Sequence, residues 1–218
     1  AIPTSANAEW PQWRGPYGNS AADDTELALA WNDRAGVQWK IELPGTGTST
    51  PAVALGSLFV TSQDGNKLLL LRVDQKTGAI IWSKEVGTGE TPRNIQGRGA
   101  QKFHDIHNLA SPSPVVDGEH VVVHFGNGDL AVYDFAGKQL WKRNLASDYG
   151  RYTIWWGHAN SPVLHKGLVI SVCLQDSLAD LAEHKDKPAA SYLVAHDVAT
   201  GRVRWHTPRD TGAKSEEG

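Results

Sequence analysis

Hydrophobic residues along this chain fall in short runs, set apart by tight clusters of Gly, Asn and Asp. Between residues 49 and 86 the runs STPAVA, SLFVTSQ, KLLLLRV and AIIWSKEV are broken by LG, DGN and DQKTG. Between 113 and 145 the runs SPVV, HVVVHF, DLAVYD and KQLWKRNL are broken by DGE, GNG and FAG. Short β-branched and aromatic runs with such breaks predict strands joined by tight hairpins. A third set, SPVLHK, LVISVC, SYLVAHD and RVRWHTP, follows the same plan with a polar insertion over 175–190 between its second and third strands. Each set predicts four antiparallel strands.

The sets share landmarks. An Asp, a Gly and a Trp recur as Asp74, Gly78, Trp82; Asp134, Gly137, Trp141; and Asp197, Gly201, Trp205, with the Gly always four residues before the Trp. Each set opens on a hydroxyl residue and a proline: Thr50-Pro51, Ser113-Pro114 and Ser161-Pro162. Recurrence of this kind marks a repeat fold. A lone four-stranded sheet cannot bury both faces, so such units stack around an axis as the blades of a β-propeller. The predicted fold is all-β, with blades near 46–87, 109–146 and 158–208 and a leading outer strand over Leu27–Gly45 that carries Trp39. The Gly suits a turn at positive φ, the Asp caps that turn, and the Trp fills the gap between neighbouring sheets.

The segment AHDVATGRVRW (195–205) resembles the Ala-x-Asp-x-x-Thr-Gly-x-x-x-Trp docking motif of pyrroloquinoline-quinone (PQQ) type propeller repeats, and RVDQKTGAIIW (72–82) keeps all of it but the Ala. VYDFAGKQLW is the same motif one residue shorter. With WPQWRGPYG near the start and GHANSPVL at 157–164, the chain resembles secreted bacterial PQQ-binding-like, BamB-like repeat proteins from Trp10 to about Pro208. The resemblance implies a ring of seven or eight blades, of which this chain would be an N-terminal piece. It also brings PQQ and calcium into view as cofactors, although none is assigned. The vicinal cysteine pair of quinoprotein dehydrogenases is impossible with the single Cys173.

Composition narrows the partners. No apolar run approaches the roughly 20 residues of a membrane-spanning helix. A net charge of -3 and a pI near 6.3 argue against nucleic acid. Cys173, inside VISVC, reads as a buried thiol. The leader 1–8 ends in Ala6-Asn7-Ala8, a small-x-small pattern that reads as the remnant of a secretory signal, and the polar stretch after Thr207 stops where another proline-led strand is due. Both features predict that the chain is a fragment of a periplasmic or secreted bacterial protein.

Up-and-down strand order puts three long segments on one face: 87–108, 146–160 and 175–190. Long loops on a rigid scaffold are where binding residues collect. Candidate partner-binding residues are Arg93, Arg98, Phe103, His104, His107, Arg151, Tyr152, Trp155, Trp156 and His158, cations and aromatics suited to a protein, peptide or carbohydrate. His104 and His107 flank Asp105 without a third ligand at recognisable spacing, so no metal is assigned. His120, His124, His165, His184, His196 and His206 read as packing or solvent-facing residues. No nucleophile, phosphate-loop or paired-carboxylate motif stands out, so no catalytic residue is assigned. The function predicted is a non-catalytic extracytoplasmic scaffold binding through its loop-rich face. Two alternatives are a PQQ-dependent dehydrogenase-like enzyme completed by further blades and a self-assembling structural module joined through its open edges, which another copy or further blades would cover.

Overall fold

Three antiparallel sheets, each running from the inner to the outer edge in chain order, form successive blades. The computed structural model describes residues 9–22, 30–32, 35–89, 94–95, 99–100, 107–154, 156–175 and 189–209. The first sheet holds β1 (Ala52–Ala54), β2 (Ser57–Asp64), β3 (Lys67–Asp74) and β4 (Ile80–Thr88). A small hairpin, β5 (Asn94–Ile95) and β6 (Gly99–Ala100), lies in the connection that follows. The second sheet holds β7 (Val115–Val116), β8 (His120–His124), β9 (Asp129–Asp134) and β10 (Gln139–Asn144), and one helical turn, α1 (Leu145–Tyr149), leaves it. The third holds β11 (Val163–His165), β12 (Leu168–Cys173), β13 (Ser191–Asp197) and β14 (Val203–Arg209).

The Asp in each unit builds the turn into the outer strand. Asp74 Oδ1 accepts from the N–H groups of Lys76 at 3.0 Å and Thr77 at 2.8 Å and from the Thr77 hydroxyl at 2.8 Å. Asp197 takes the Thr200 N–H and hydroxyl in the same way. The hydroxyl bonds of Thr77 and Thr200 hold both carboxyls below the usual range. Asp134, in a turn one residue shorter, accepts from the Lys138 N–H at 2.9 Å.

Between sheets, a row of side chains ending in the Trp faces the next blade. Register places Ala52, Phe59, Arg72 and Trp82 in one row, Val115, Val122, Val132 and Trp141 in the next, and Val163, Ile170, Ala195 and Trp205 in the third. Apart from Arg72, the first two rows lie within the hydrophobic clusters between adjacent sheets. In these two rows each Trp ring stacks over the turn glycine of the following blade, where a Cβ would come within 2.7 Å of Trp141 at Gly201 and 3.1 Å of Trp82 at Gly137. Its indole N–H reaches a carbonyl of the same turn: Trp82 to Phe135 at 3.1 Å and Trp141 to Val198 at 2.6 Å. Trp39 does the same to the first blade, bonding Gln75 O at 2.9 Å with Gly78 beneath it. Of the leading outer strand expected over Leu27–Gly45, residues 27–29 and 33–34 lie outside the described residues, and the described stretch around Trp39 forms no regular strand.

At the inner edge the recurring hydroxyl residues link the blades. The Thr50 N–H donates to Ser113 Oγ and the Ser113 N–H to Ser161 Oγ, each at 2.9 Å. The N-terminal segment straps the same edge. Trp10 exchanges both backbone bonds with Val53, and the Val116 N–H donates to Pro11 O. Ser113 is buried, so Ser113→Ala strands the Thr50 N–H without its acceptor. A loss of about 1–3 kcal/mol in urea denaturation is expected, and a loss under about 0.5 kcal/mol would show that this link carries little of the joint.

Candidate functional site

The connections that leave β4 and β10 meet the turns between second and third strands, which gathers the loops on one end of the blades. Leu109 donates its N–H to Gln63 Oε1 at 3.2 Å and accepts from the Gly126 N–H at 2.8 Å. The Thr61 hydroxyl donates to Ala110 O at 3.0 Å. Thr153, fully buried, donates its N–H to Gln175 Oε1 at 2.9 Å, and Gln175 Nε2 returns a bond to Arg151 O.

Loop 150–158 starts at a defined place. The Asn144 side chain caps α1 by accepting from the Ser147 N–H at 2.9 Å, and it also donates to Asp129 Oδ1. Asp129 pairs with Lys142 at 3.1 Å, and the same ammonium reaches Val86 O in the first sheet. The second blade is thereby tied to the first at the root of the loop.

Beneath the loop lies a cluster of polar rings. His124 Nε2 and Tyr152 Oη are 3.0 Å apart, the Cys173 thiol reaches Tyr152 Oη at 3.5 Å, and the His158 ring sits 4.4 Å from Tyr152 and 4.9 Å from His124. Neither nitrogen of His158 has a hydrogen-bond partner among the described residues. Burial holds His124 at about 4 and pushes His158 well below the usual imidazole range. Burial also raises the Tyr152 hydroxyl and the Cys173 thiol. At neutral pH the cluster is uncharged, and its thiol is a poor nucleophile.

The candidate residues therefore part company. Arg93, Arg98, Phe103, His104 and Trp155 lie outside the described residues. Trp156, 54% exposed, and the exposed Arg151 stand on the surface of the loop, whereas His158, 2% exposed, and the half-buried Tyr152 support it from below. His107 lies apart, near the axis, with Nδ1 2.7 Å from Ser111 Oγ. It lines a cleft with Trp13, Ser113, Asn160, Ser161 and Val163. Sequence reasoning leaves out Trp13 and reads His124 as a packing or solvent-facing residue and Cys173 as a buried thiol; both are buried in the cluster. The Ser/Thr-Pro recurrence is the one local signal for the cleft wall.

The PQQ and calcium that the repeat resemblance brings into view do not fit these residues. Among the described residues the cleft offers hydroxyls, an amide and an imidazole but no carboxylate, whereas calcium takes several oxygens with carboxylates among them. Among the described residues, no group of three His, Cys, Asp or Glu is placed to hold a metal ion. Among the described residues, no Lys or Arg lines the cleft to pair with the carboxylates of the quinone.

The chain matches the family described as outer membrane protein assembly factor BamB over residues 20–208. A relative in that family, outer membrane protein assembly factor BamB of Moranella endobia (strain PCIT), is 30% identical over 128 residues, 56% of this chain and 30% of the relative. Among solved structures, quinohemoprotein alcohol dehydrogenase from Comamonas testosteroni is similar at a TM-score of 0.61 and 21% identity, over 92% of this chain and 27% of that one. A europium-containing methanol dehydrogenase is similar at a TM-score of 0.60 and 16% identity, over 92% of this chain and 32% of that one. Likeness at these identities is likeness of fold, and the chain spans about a third or less of the length of each of these relatives. Three Trp-closed four-stranded blades, joined as described and matched over 20–208, make this chain a member of the BamB-like family of quinoprotein-type β-propeller repeat proteins.

Proposed function

We propose that this chain is part of a non-catalytic β-propeller scaffold of the bacterial cell envelope that binds a protein partner through its loop-rich face. Loop 150–158 carries the proposal. It is held from below by the buried His124, His158 and Cys173 with the half-buried Tyr152, and at its side by Gln175, and it presents Trp156 and Arg151 to solvent. Trp and Arg are the residue types that dominate protein interfaces, and segments anchored at Tyr152, Thr153 and His158 lose little entropy on binding. Family membership supports a protein partner, since the matched relative is named as an assembly factor for outer membrane proteins. Arg93, Arg98, Phe103, His104 and Trp155, outside the described residues, and His107 in the neighbouring cleft remain further candidate contacts in this proposal.

Immobilised protein incubated with bacterial envelope extract is expected to retain outer-membrane assembly proteins, identified by mass spectrometry. The double variant Arg151→Glu, Trp156→Ala should retain roughly tenfold less or lower, in line with the loss of an interface hot spot. Equal retention by wild type and variant removes this loop from the interface.

A further inference from the structure

The cleft at the inner edge of the blades has the chemistry of a second site, separate from Arg151 and Trp156. It encloses about 840 Å³, within the range of pockets that take small organic ligands. The opening of each blade contributes one hydroxyl residue to its wall: Thr50, Ser113 and Ser161. Ser113 Oγ and Ser161 Oγ each accept a backbone N–H from the blade before, which leaves their O–H groups to donate. Thr50 joins that link through its N–H and keeps its hydroxyl for the cleft. Asn160 donates its amide to Val172 O at 3.1 Å, so its Oδ1 stays an acceptor. Among the described residues, no Asp, Glu, Lys or Arg lines the cleft.

Trp13 borders the cleft on a turn that is firmly held. The Gly15 N–H donates to Gln12 O at 3.0 Å, and the Trp10 ring lies against Gly15, where a Cβ would come within 2.8 Å of it. Trp10 and Pro11 are in turn bonded to Val53 and Val116 of the first two blades. Arg14 takes φ 66° in this turn, a left-handed conformation that costs a residue with a Cβ, and its guanidinium sits 5.8 Å from the Trp13 ring centroid. The indole is nevertheless 57% exposed. A large aromatic ring fixed in place and left open to a cleft is a stacking surface.

We propose that this cleft binds a neutral oligosaccharide, stacked on Trp13 and hydrogen-bonded by Thr50, Ser113, Ser161 and Asn160. The C–H face of a pyranose ring carries the partial positive charge that the negative face of an indole attracts, and its hydroxyls both donate and accept. A charged ligand would give up hydration without meeting an opposite charge on the cleft wall. An extended peptide pairs its backbone with a strand edge, whereas this wall offers side-chain hydroxyls.

Cellotriose, maltotriose and tri-N-acetylchitotriose, titrated separately into ¹⁵N-Trp-labelled protein, test the proposal. The Trp13 indole signal, assigned by its loss in Trp13→Phe, is followed by NMR, and at least one sugar should shift it saturably. By calorimetry Trp13→Ala should weaken that sugar at least ~10-fold, while Trp13→Phe, which keeps an aromatic face, should stay within ~3-fold of wild type. Thr50→Val preserves the shape of the side chain and removes the hydroxyl, and should weaken binding ~2–10-fold. Unchanged Trp82 and Trp141 indole signals in each variant show that the blades are intact. No saturable shift with any of the three sugars overturns the proposal, as does wild-type affinity in Trp13→Ala or Thr50→Val. Tighter binding of trigalacturonate or of an uncharged Gly-Ser hexapeptide also overturns it, by identifying an anion or a peptide as the occupant.

Discussion

Gly201→Ala is expected to destabilise the protein by about 2–5 kcal/mol, well beyond the cost of the same change at Gly167. The two glycines have nearly the same backbone, φ 69° and 74°, so both substitutions force an L-residue into the left-handed region at about 1–2 kcal/mol. They differ in what the new methyl meets. At Gly167 nothing lies within 4 Å, whereas at Gly201 three atoms of the Trp141 ring lie at 2.7–3.0 Å. Trp141 cannot simply swing away, because its indole is tied to Val198 O and its ring lies near His196. Overpacking of this kind adds about 1–3 kcal/mol. Paired urea denaturation curves isolate the ring contact as the difference between the variants, and equal losses would show that the Trp is not held against the glycine.

That contact explains why the blades are legible in the sequence. An Asp-capped turn, a glycine and a tryptophan at fixed spacing are local chemistry repeated three times, and the strands between them carry their own hydrophobic pattern. What the spacing does not say is that each Trp docks on the glycine of the following unit, Trp82 on Gly137 and Trp141 on Gly201. The Ser/Thr-Pro openings likewise stand out as a recurrence, yet their role as inter-blade acceptors emerges only once Thr50 and Ser113 are side by side.

The loop-rich end is harder to read. His158 and Trp156 are neighbours in one polar stretch, and only the fold turns one into the interior and the other outward. The ring cluster joins residues on β8, on β12 and in loop 150–158, so no local pattern announces it. The strap made by Trp10 and Pro11 rests on single backbone pairings with no periodicity behind them. Trp39 seats itself without a strand around it, since pairing needs a neighbour that sequence composition cannot supply.

Acid should loosen this protein well above the range where carboxylates titrate. Three buried histidines are held neutral: His124 and His196 at about 4, and His158 lower still, all chiefly by burial. Their surroundings give a proton little compensation. His158 faces Tyr152, His124 and His107, and His124 has Asp129 as its favourable charge, while His196 has Asp148 against the opposing Arg143. Above about pH 6.5 these groups are neutral in both folded and unfolded chains and stability does not depend on them. Below it the unfolded chain takes up protons that the folded chain refuses, so stability falls as pH drops toward 4, by up to about 1.4 kcal/mol per pH unit for each histidine. The lowered carboxyls of Asp74, Asp117 and Asp197 act only nearer pH 4 and do not account for a loss between 6.5 and 5. Urea midpoints at pH 7.5, 6.0 and 5.0 should therefore fall steadily. His158→Phe keeps a ring of similar size, removes two unpartnered nitrogens, and should be neutral or stabilising at pH 7.5 while flattening the acid slope. A variant with the wild-type slope would place the acid response elsewhere. The expected result assigns part of the acid response to His158, buried in the ring cluster against Tyr152 and His124.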